Sequence, residues 1–297
     1  MLLPKHLVIS NTVNLWQTCR SMAKPKTTRT ISELTVSTAE HSATPTNVDE
    51  RLFVASVEKG MRILRAFDSQ RPWLGITDIV ELTGLGRSAT QRFVYTLHQL
   101  GYLRRDANTR RYGLASRVLE LAKGMLEGNQ LLERSQSLLA ELARATGETV
   151  SWIELDDDEI VVVANIPSVH VAHVHLPVGS RFGALTSSSG QVLLQDAEPA
   201  QIKEFFNALD PNSRKRLGPG GVGVVLKLLT QARDSGYAIT EKLMDQHGLS
   251  LSAPVRDIRG KVVAAINIST LTSRHDSASA RRNLLPLLLT ATRSASV

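Results

Sequence analysis

Cysteine is nearly missing from this chain. The single one, Cys19, cannot build an internal disulfide framework or a cysteine zinc site. Such usage fits a reducing cytoplasm. No run approaches the roughly 20 apolar residues of a spanning helix, so no membrane partner is expected. No segment repeats, which argues against a solenoid. Acidic residues are absent before Glu33. The first 50 residues are also rich in Ser and Thr and lack a periodic apolar pattern. They read as a disordered tail, either of transit-peptide composition or with its true start at Met22.

What is present is a core and a localised positive charge. Hydrophobic residues make up 42% of the 297, ample for packing. From Arg51 to Ala115 there are 11 Lys and Arg against 5 Asp and Glu, a balance of +6 within a total of +7. From Ser116 to Val297 the count is 19 against 19. A basic footprint confined to one short segment suits a polyanion, and nucleic acid is the usual one. A solvated basic face without a partner is the plain alternative.

Within that segment the spacing of Val57, Met61, Leu64 and Phe67 predicts a helix. A second helix is expected from a Thr77 cap to a stop at Gly84, with Ile79 and Leu82 inward. Leu85-Gly86 makes a sharp turn. A third helix follows from Arg87 to Leu100, with Ala89, Phe93, Leu97 and Leu100 as its buried stripe. "YLRRDANTRRYGL" then reads as a hairpin turning at Asp106-Ala107-Asn108. Three helices, a tight turn and a basic hairpin describe a winged helix-turn-helix over 51–115. The third helix would present Ser88, Gln91, Arg92 and Tyr95, with Arg87 at its start. Arg pairs bidentately with guanine and Gln with adenine in the major groove. Arg104, Arg105, Arg110 and Arg111 on the wing would meet the backbone or minor groove.

Residues 116–130 read as a linker helix. Residues 131–297 read as an α+β domain with an antiparallel sheet. Strands are expected at "TVSWIEL", "EIVVVANI", "HVAHVHLPV", "YAIT", "LSLSAPV" and "KVVAAINIS", and a closing helix over Leu284–Ala291. Ser187 to Ser189 precede an apolar helical run, so their N–H groups form an anion-seeking start. Asn267 and Ser269 alternate on one strand and share a face. His170, His173 and His175 fall in one expected strand, where only the last two share a face, too few to hold a metal. "TSSSGQ" is not the G-x-S-x-G elbow, and no base is assignable, so no catalysis is expected. No cofactor is expected. Asp156-Asp157-Asp158 reads as a solvated turn.

"SVEKGMRILRAF … LGITDIVELTGLGRSATQRFVYTLHQLGYLRRD" resembles the DNA-binding domain of the IclR family of bacterial transcription regulators. "TGETVSWIELDDDEIVVVANI", "VGSRFGALTSSSGQVLL", "DSGYAIT" and "LSAPVRDIRGKVVAAINIST" resemble that family's GAF-like effector domain. "FVASVEKGMRILRAF", "TSSSGQVLL" and "AINIST" look most like the branch answering to protocatechuate or 4-hydroxybenzoate. The resemblance implies operator DNA bound by a homodimer or homotetramer. It implies a small organic acid effector, held by Thr186, Ser187, Ser188, Thr240, Ser250, Asn267 and Ser269. A different class of protein stays open at this point: an enzyme or metabolite-binding protein whose basic module docks a protein partner.

Overall fold

The computed structural model describes residues 49–241 and 247–297. The tail expectation therefore lies outside the described residues except at Asp49 and Glu50, and Cys19 and Met22 lie outside them too. The fold is α+β, with a helical winged module followed by an antiparallel-sheet domain.

The first module comprises α1 (Ala55–Arg65), α2 (Ile76–Thr83), α3 (Arg87–Gln99) and the hairpin of β1 (Leu103–Arg105) with β2 (Tyr112–Leu114). Ile63, Phe67, Leu74, Ile79, Leu85, Val94, Leu97 and Leu103 form its core. The helices stand where the periodicity put them, but their buried faces are only partly those expected. Of the expected α1 stripe, Val57 and Met61 are exposed, while Leu64 and, just past the helix, Phe67 do face the core, with Ile63 buried beside them. Two apolar stripes lie side by side on this helix, and periodicity does not say which one meets α3. On α3 the buried line is Thr90, Val94 and Leu97 rather than Ala89, Phe93 and Leu100. Leu82 is likewise exposed, and Thr83 takes the inward place. Thr77 does not cap α2. The Asp78 carboxylate accepts from the Gly75 N–H at 2.8 Å, so the helix starts earlier. Gly84 closes α2 with φ 66°.

α4 (Val118–Glu127) buries none of its residues. α5 (Gln130–Thr146) begins where the Asn129 side chain accepts from the Leu132 N–H, and ends at left-handed Gly147. The sheet contains β3 (Thr149–Asp156), β4 (Glu159–Ile166), β5 (Arg181–Gly183), β6 (Ala238–Glu241), β7 (Gly248–Arg256) and β8 (Val262–Leu271). Its order is β5-β4-β3-β8-β7-β6, antiparallel throughout. α10 (Ser277–Asn283) and α11 (Leu285–Ala295) follow. Alternation sends Val150, Trp152, Leu251, Ile266 and Ile268 to one face, against Leu139 and Leu142 of α5 and Leu288 of α11. Trp152 is fully buried there. Burying a side chain of this size is worth roughly 2–3 kcal/mol.

The other face is covered by α6 (Ser188–Leu193), α7 (Pro199–Ala208) and α9 (Val222–Ser235), with the short α8 (Pro211–Arg216) between the last two. The strand expected at "HVAHVHLPV" is not formed; residues 170–178 run as irregular backbone. Its carbonyls bond to side chains: Thr149 Oγ1 donates to Val174 at 3.1 Å and Arg274 Nη1 to Ala172 at 2.8 Å. Leu176 is buried and Val174 half-buried on the sheet's second face, so the apolar alternation serves coverage rather than ladder pairing. The edge strand is β5 instead. The closing helix runs past Ala291 to Ala295. Among the described residues no helix is long and apolar enough to cross a membrane.

Candidate DNA-recognition face and effector site

The buried line of α3 leaves Ser88, Gln91, Arg92 and Tyr95 facing solvent, where with Thr96 they line an open hollow. Thr96 was not among the expected residues; it follows Arg92 by one turn, and its hydroxyl donates to the Arg92 carbonyl at 2.9 Å. Arg87 opens the helix, its Nη1 3.4 Å from Thr77 Oγ1. The wing separates its arginines. Neighbours on a strand point to opposite faces, so Arg104 stacks over Trp73, 4.9 Å from the ring centre, and Arg105 over Tyr112 at 5.7 Å. At the tip, the Asp106 carboxylate accepts from the N–H of Thr109 at 2.6 Å and of Asn108 at 3.1 Å. Those bonds, with the Thr109 hydroxyl, hold its carboxyl below the usual range. Arg110 takes φ 58°, and both Arg110 and Arg111 are exposed.

In the second domain, register gathers a polar patch on the face toward α6. Ser252 lies opposite Asn267, Ser250 opposite Ser269, and Thr240 opposite Ser250. Asn267 is the hub. Its Nδ2 donates to Ser250 Oγ at 2.5 Å and Ser252 Oγ at 2.9 Å, and its Oδ1 accepts from Ser269 Oγ at 2.7 Å. From above, the Ser188 hydroxyl lies 2.8 Å from both Ser250 and Ser252, and Ser189 is 2.9 Å from Ser252. Ser188, Ser250, Asn267 and Ser269 thus come together as expected. Ser252 and Ser189 complete the network; Ser252 was legible as the second alternate position after Ser250. Beside it on β3, Ser151 donates to Asn165 at 2.8 Å.

Three expected effector residues stand apart from the network. Thr186 donates to the Gly183 carbonyl, within its own tight turn. Ser187 caps α6: its hydroxyl accepts from the Gly190 N–H at 2.9 Å and donates to Ala184. Thr240 is half-buried at its register position, without a bond into the cluster among the described residues. Gly190 is obligatory, because a Cβ there would lie 1.9 Å from the Ala184 carbonyl oxygen. This close approach seats α6 on the turn before it.

Among the described residues no cation enters the network. Arg181 is committed to Asp156 at 2.5 Å and Glu159 at 2.7 Å, so the aspartate turn is partly paired rather than wholly solvated. Arg274 grips Glu148, 1% exposed, through Nε at 2.7 Å and Nη2 at 2.6 Å. Burial works to raise the Glu148 pKa. The Arg274 bonds, with Thr270 and His170, outweigh burial and hold it below the ordinary value. The rings of His173 and His175 meet edge to face at 6.5 Å, and no grouping of three potential metal ligands occurs among the described residues.

An exposed polar helix beside a basic wing, joined to a separate sheet domain, is the arrangement of a DNA-binding transcription regulator. The comparisons agree. The family model for the IclR helix-turn-helix domain matches residues 56–107, and that for the bacterial transcriptional regulator IclR C-terminal domain matches residues 123–297. The chain belongs to the IclR family of transcription regulators. Among relatives, the p-hydroxybenzoate hydroxylase transcriptional activator of Acinetobacter baylyi is 30% identical, over 80% of this chain and 88% of that one. The Pca regulon regulatory protein of Pseudomonas putida is 28% identical, over 81% and 82%. The crystal structure of an IclR transcriptional regulator from Alicyclobacillus acidocaldarius superposes with TM-score 0.70, over 82% of this chain and 98% of that one. At 21% identity that likeness bears on the fold. The family's members are regulators, not enzymes.

Proposed function

We propose that this regulator binds double-stranded operator DNA through α3 and its wing, and that a small organic acid in the second domain controls that binding. Residues 51–115 would be the DNA module, 116–130 the linker and 131–297 the effector domain. Gln91, Arg92 and Arg87 read base edges, Ser88 and Tyr95 meet phosphate or base, and the wing arginines meet the backbone. The observation that carries this reading is the solvent-open polar face of α3 inside the one segment with a marked charge excess.

The effector is read as an aromatic acid such as 4-hydroxybenzoate, in line with the relatives' names. Its oxygens would take up the bonds that Ser188, Ser250, Ser252 and Asn267 now exchange among themselves. A site of neutral donors and acceptors rejects apolar ligands, since unpaired buried polar groups cost about 1–3 kcal/mol.

A homodimer or homotetramer accounts for the exposed apolar residues Val54, Val57 and Met61 on or before α1 and Leu119, Leu121 and Met125 on α4. The workplace is the bacterial cytoplasm, where the DNA lies. The test is a gel shift on DNA upstream of the gene at several salt concentrations, with and without 4-hydroxybenzoate. Specific binding should weaken steeply with salt and respond to the acid. Salt-insensitive or sequence-blind retention would refute the DNA reading. Specific binding indifferent to every aromatic acid tried would refute only the effector.

A further inference from the structure

One side chain ties the end of the recognition helix to the helix that leaves the wing. α3 closes with Gly101 at φ 79°; its N–H donates to His98 O at 3.0 Å, and the Tyr102 N–H donates to Leu97 O at 2.9 Å. Those bonds occupy two of the last carbonyls. The Leu100 carbonyl is taken by Arg117, whose Nη1 donates to it at 2.7 Å. Arg117 is the cap residue of α4. Its side chain packs against Gly101, where a Cβ would come within 3.2 Å of Nη1. Its Nε is 3.4 Å from the Glu120 carboxylate, one turn into α4. A cation here also suits the negative end of the α3 dipole, whose last turn carries only His98. A backbone strut runs alongside, from Ala115 N–H to Tyr102 O at 2.9 Å.

We propose that Arg117 is a positioning residue. It fixes the angle between α3 and α4, and thereby the half-site spacing that the assembled regulator selects. This rests on the dimer reading above, in which α4 with its outward Leu119, Leu121 and Met125 meets a second copy. A ten-residue helix is about 15 Å long, so about 15° of play at its root moves its far end by about 4 Å. One base-pair step is about 3.4 Å. Loosening Arg117 therefore blurs spacing by about one base pair while leaving the base-reading face of α3 untouched.

The experiment is selection from a random double-stranded DNA library by the full chain, followed by sequencing. Parent, Arg117→Gln and Arg117→Lys are compared, with light scattering to count subunits. The parent should select paired half-sites at one dominant spacing. Arg117→Gln should recover the same half-site sequence with its preference for that spacing over neighbours one base pair away reduced at least fivefold. Arg117→Lys, which can still donate to Leu100, should restore most of it. If the Gln variant does not fold, Arg117→Met keeps the stem on Gly101 without the donor and is read the same way. A dimeric variant with unchanged spacing preference overturns the proposal, as does a changed half-site sequence. A monomeric parent overturns the dimer reading itself.

Discussion

The two polar faces of this protein are built on opposite terms. On α3 the side chains are open to water, and arginines dominate their surroundings. In the Asn267 network the side chains are neutral and mostly buried, and its serine hydroxyls are already bonded to one another or to Asn267. A surface for a polyanion keeps its hydrogen-bonding capacity unspent and its charge outward, because the partner brings its own charge and hydration. A site for a small molecule inside a domain has to stay satisfied when empty, because an unpaired buried group is costly. The same comparison ranks what mutation should do: loss inside the effector domain costs stability, and loss on α3 costs information.

The largest effect is expected next to the sheet site rather than in it. Arg274→Gln leaves Glu148 ionised and buried, which should cost about 3 kcal/mol. Thermal unfolding should fall by roughly 8 °C. The pH dependence follows from the direction of the shift. The folded pKa of Glu148 is depressed, so its stabilising contribution is present above the ordinary carboxylate range and is lost as pH falls through the folded value. The variant should therefore lose most at neutral pH and draw level with the parent in acid. An equal deficit at pH 7 and pH 3 would mean that the pair is not what was removed.

Asn267→Ala comes next, at about 2 kcal/mol, because the hub's removal takes Ser269's partner away and leaves Ser250 and Ser252 with only their bonds to Ser188 and Ser189. It should also abolish calorimetric binding of 4-hydroxybenzoate while DNA affinity without ligand stays at the parent's level. Unchanged ligand binding would move the effector elsewhere.

Both faces were legible to different depths, and the reasons are physical. Periodicity located α1, α2 and α3, since a 3.6-residue repeat survives whatever packs on it. It misjudged only the first half of the α1 stripe, because Val57 and Met61 are as apolar as Ile63; only a tertiary partner breaks the tie. The outward face of α3 was read correctly because its polar residues leave no second candidate. On the sheet, alternation identified Asn267 and Ser269, and the same rule reaches Ser252. Alternation misled at "HVAHVHLPV", where the segment lies over the sheet without joining its ladder. Thr186 and Ser187 looked like ligand groups by position, yet their hydroxyls are occupied by the turn that holds α6. Short-range bonding of Ser and Thr to nearby backbone is invisible to spacing.

On α3 the expected losses are of discrimination. Gln91→Ala should leave the melting temperature unchanged, since the side chain is exposed. The gap between operator and random DNA should narrow by about 1–3 kcal/mol if Gln91 reads an adenine. Equal weakening on both DNAs would assign it to phosphate instead.

The smallest effect is the most diagnostic, and it lies on the wing. Arg104 and Arg105 lean on Trp73 and Tyr112, whereas Arg110 sits exposed at the tip, in a turn held by Asp106. A guanidinium at a phosphate releases about one counterion, so Arg110→Ala should lower the slope of log affinity against log salt by about 0.9. Affinity should fall alike on operator and random DNA, leaving discrimination intact. The φ of 58° at Arg110 is no easier for Ala than for Arg, so the substitution tests charge rather than backbone. Arg104→Ala removes a cation held against a ring, worth about 0.5–1 kcal/mol at an exposed site. It should lower wing stability, seen as faster amide exchange in β1 and β2, with a smaller change in salt slope. If Arg104 changed the slope as much as Arg110, the stacked arginine would also be a phosphate contact, and the division of the wing into a braced base and a charged tip would fail.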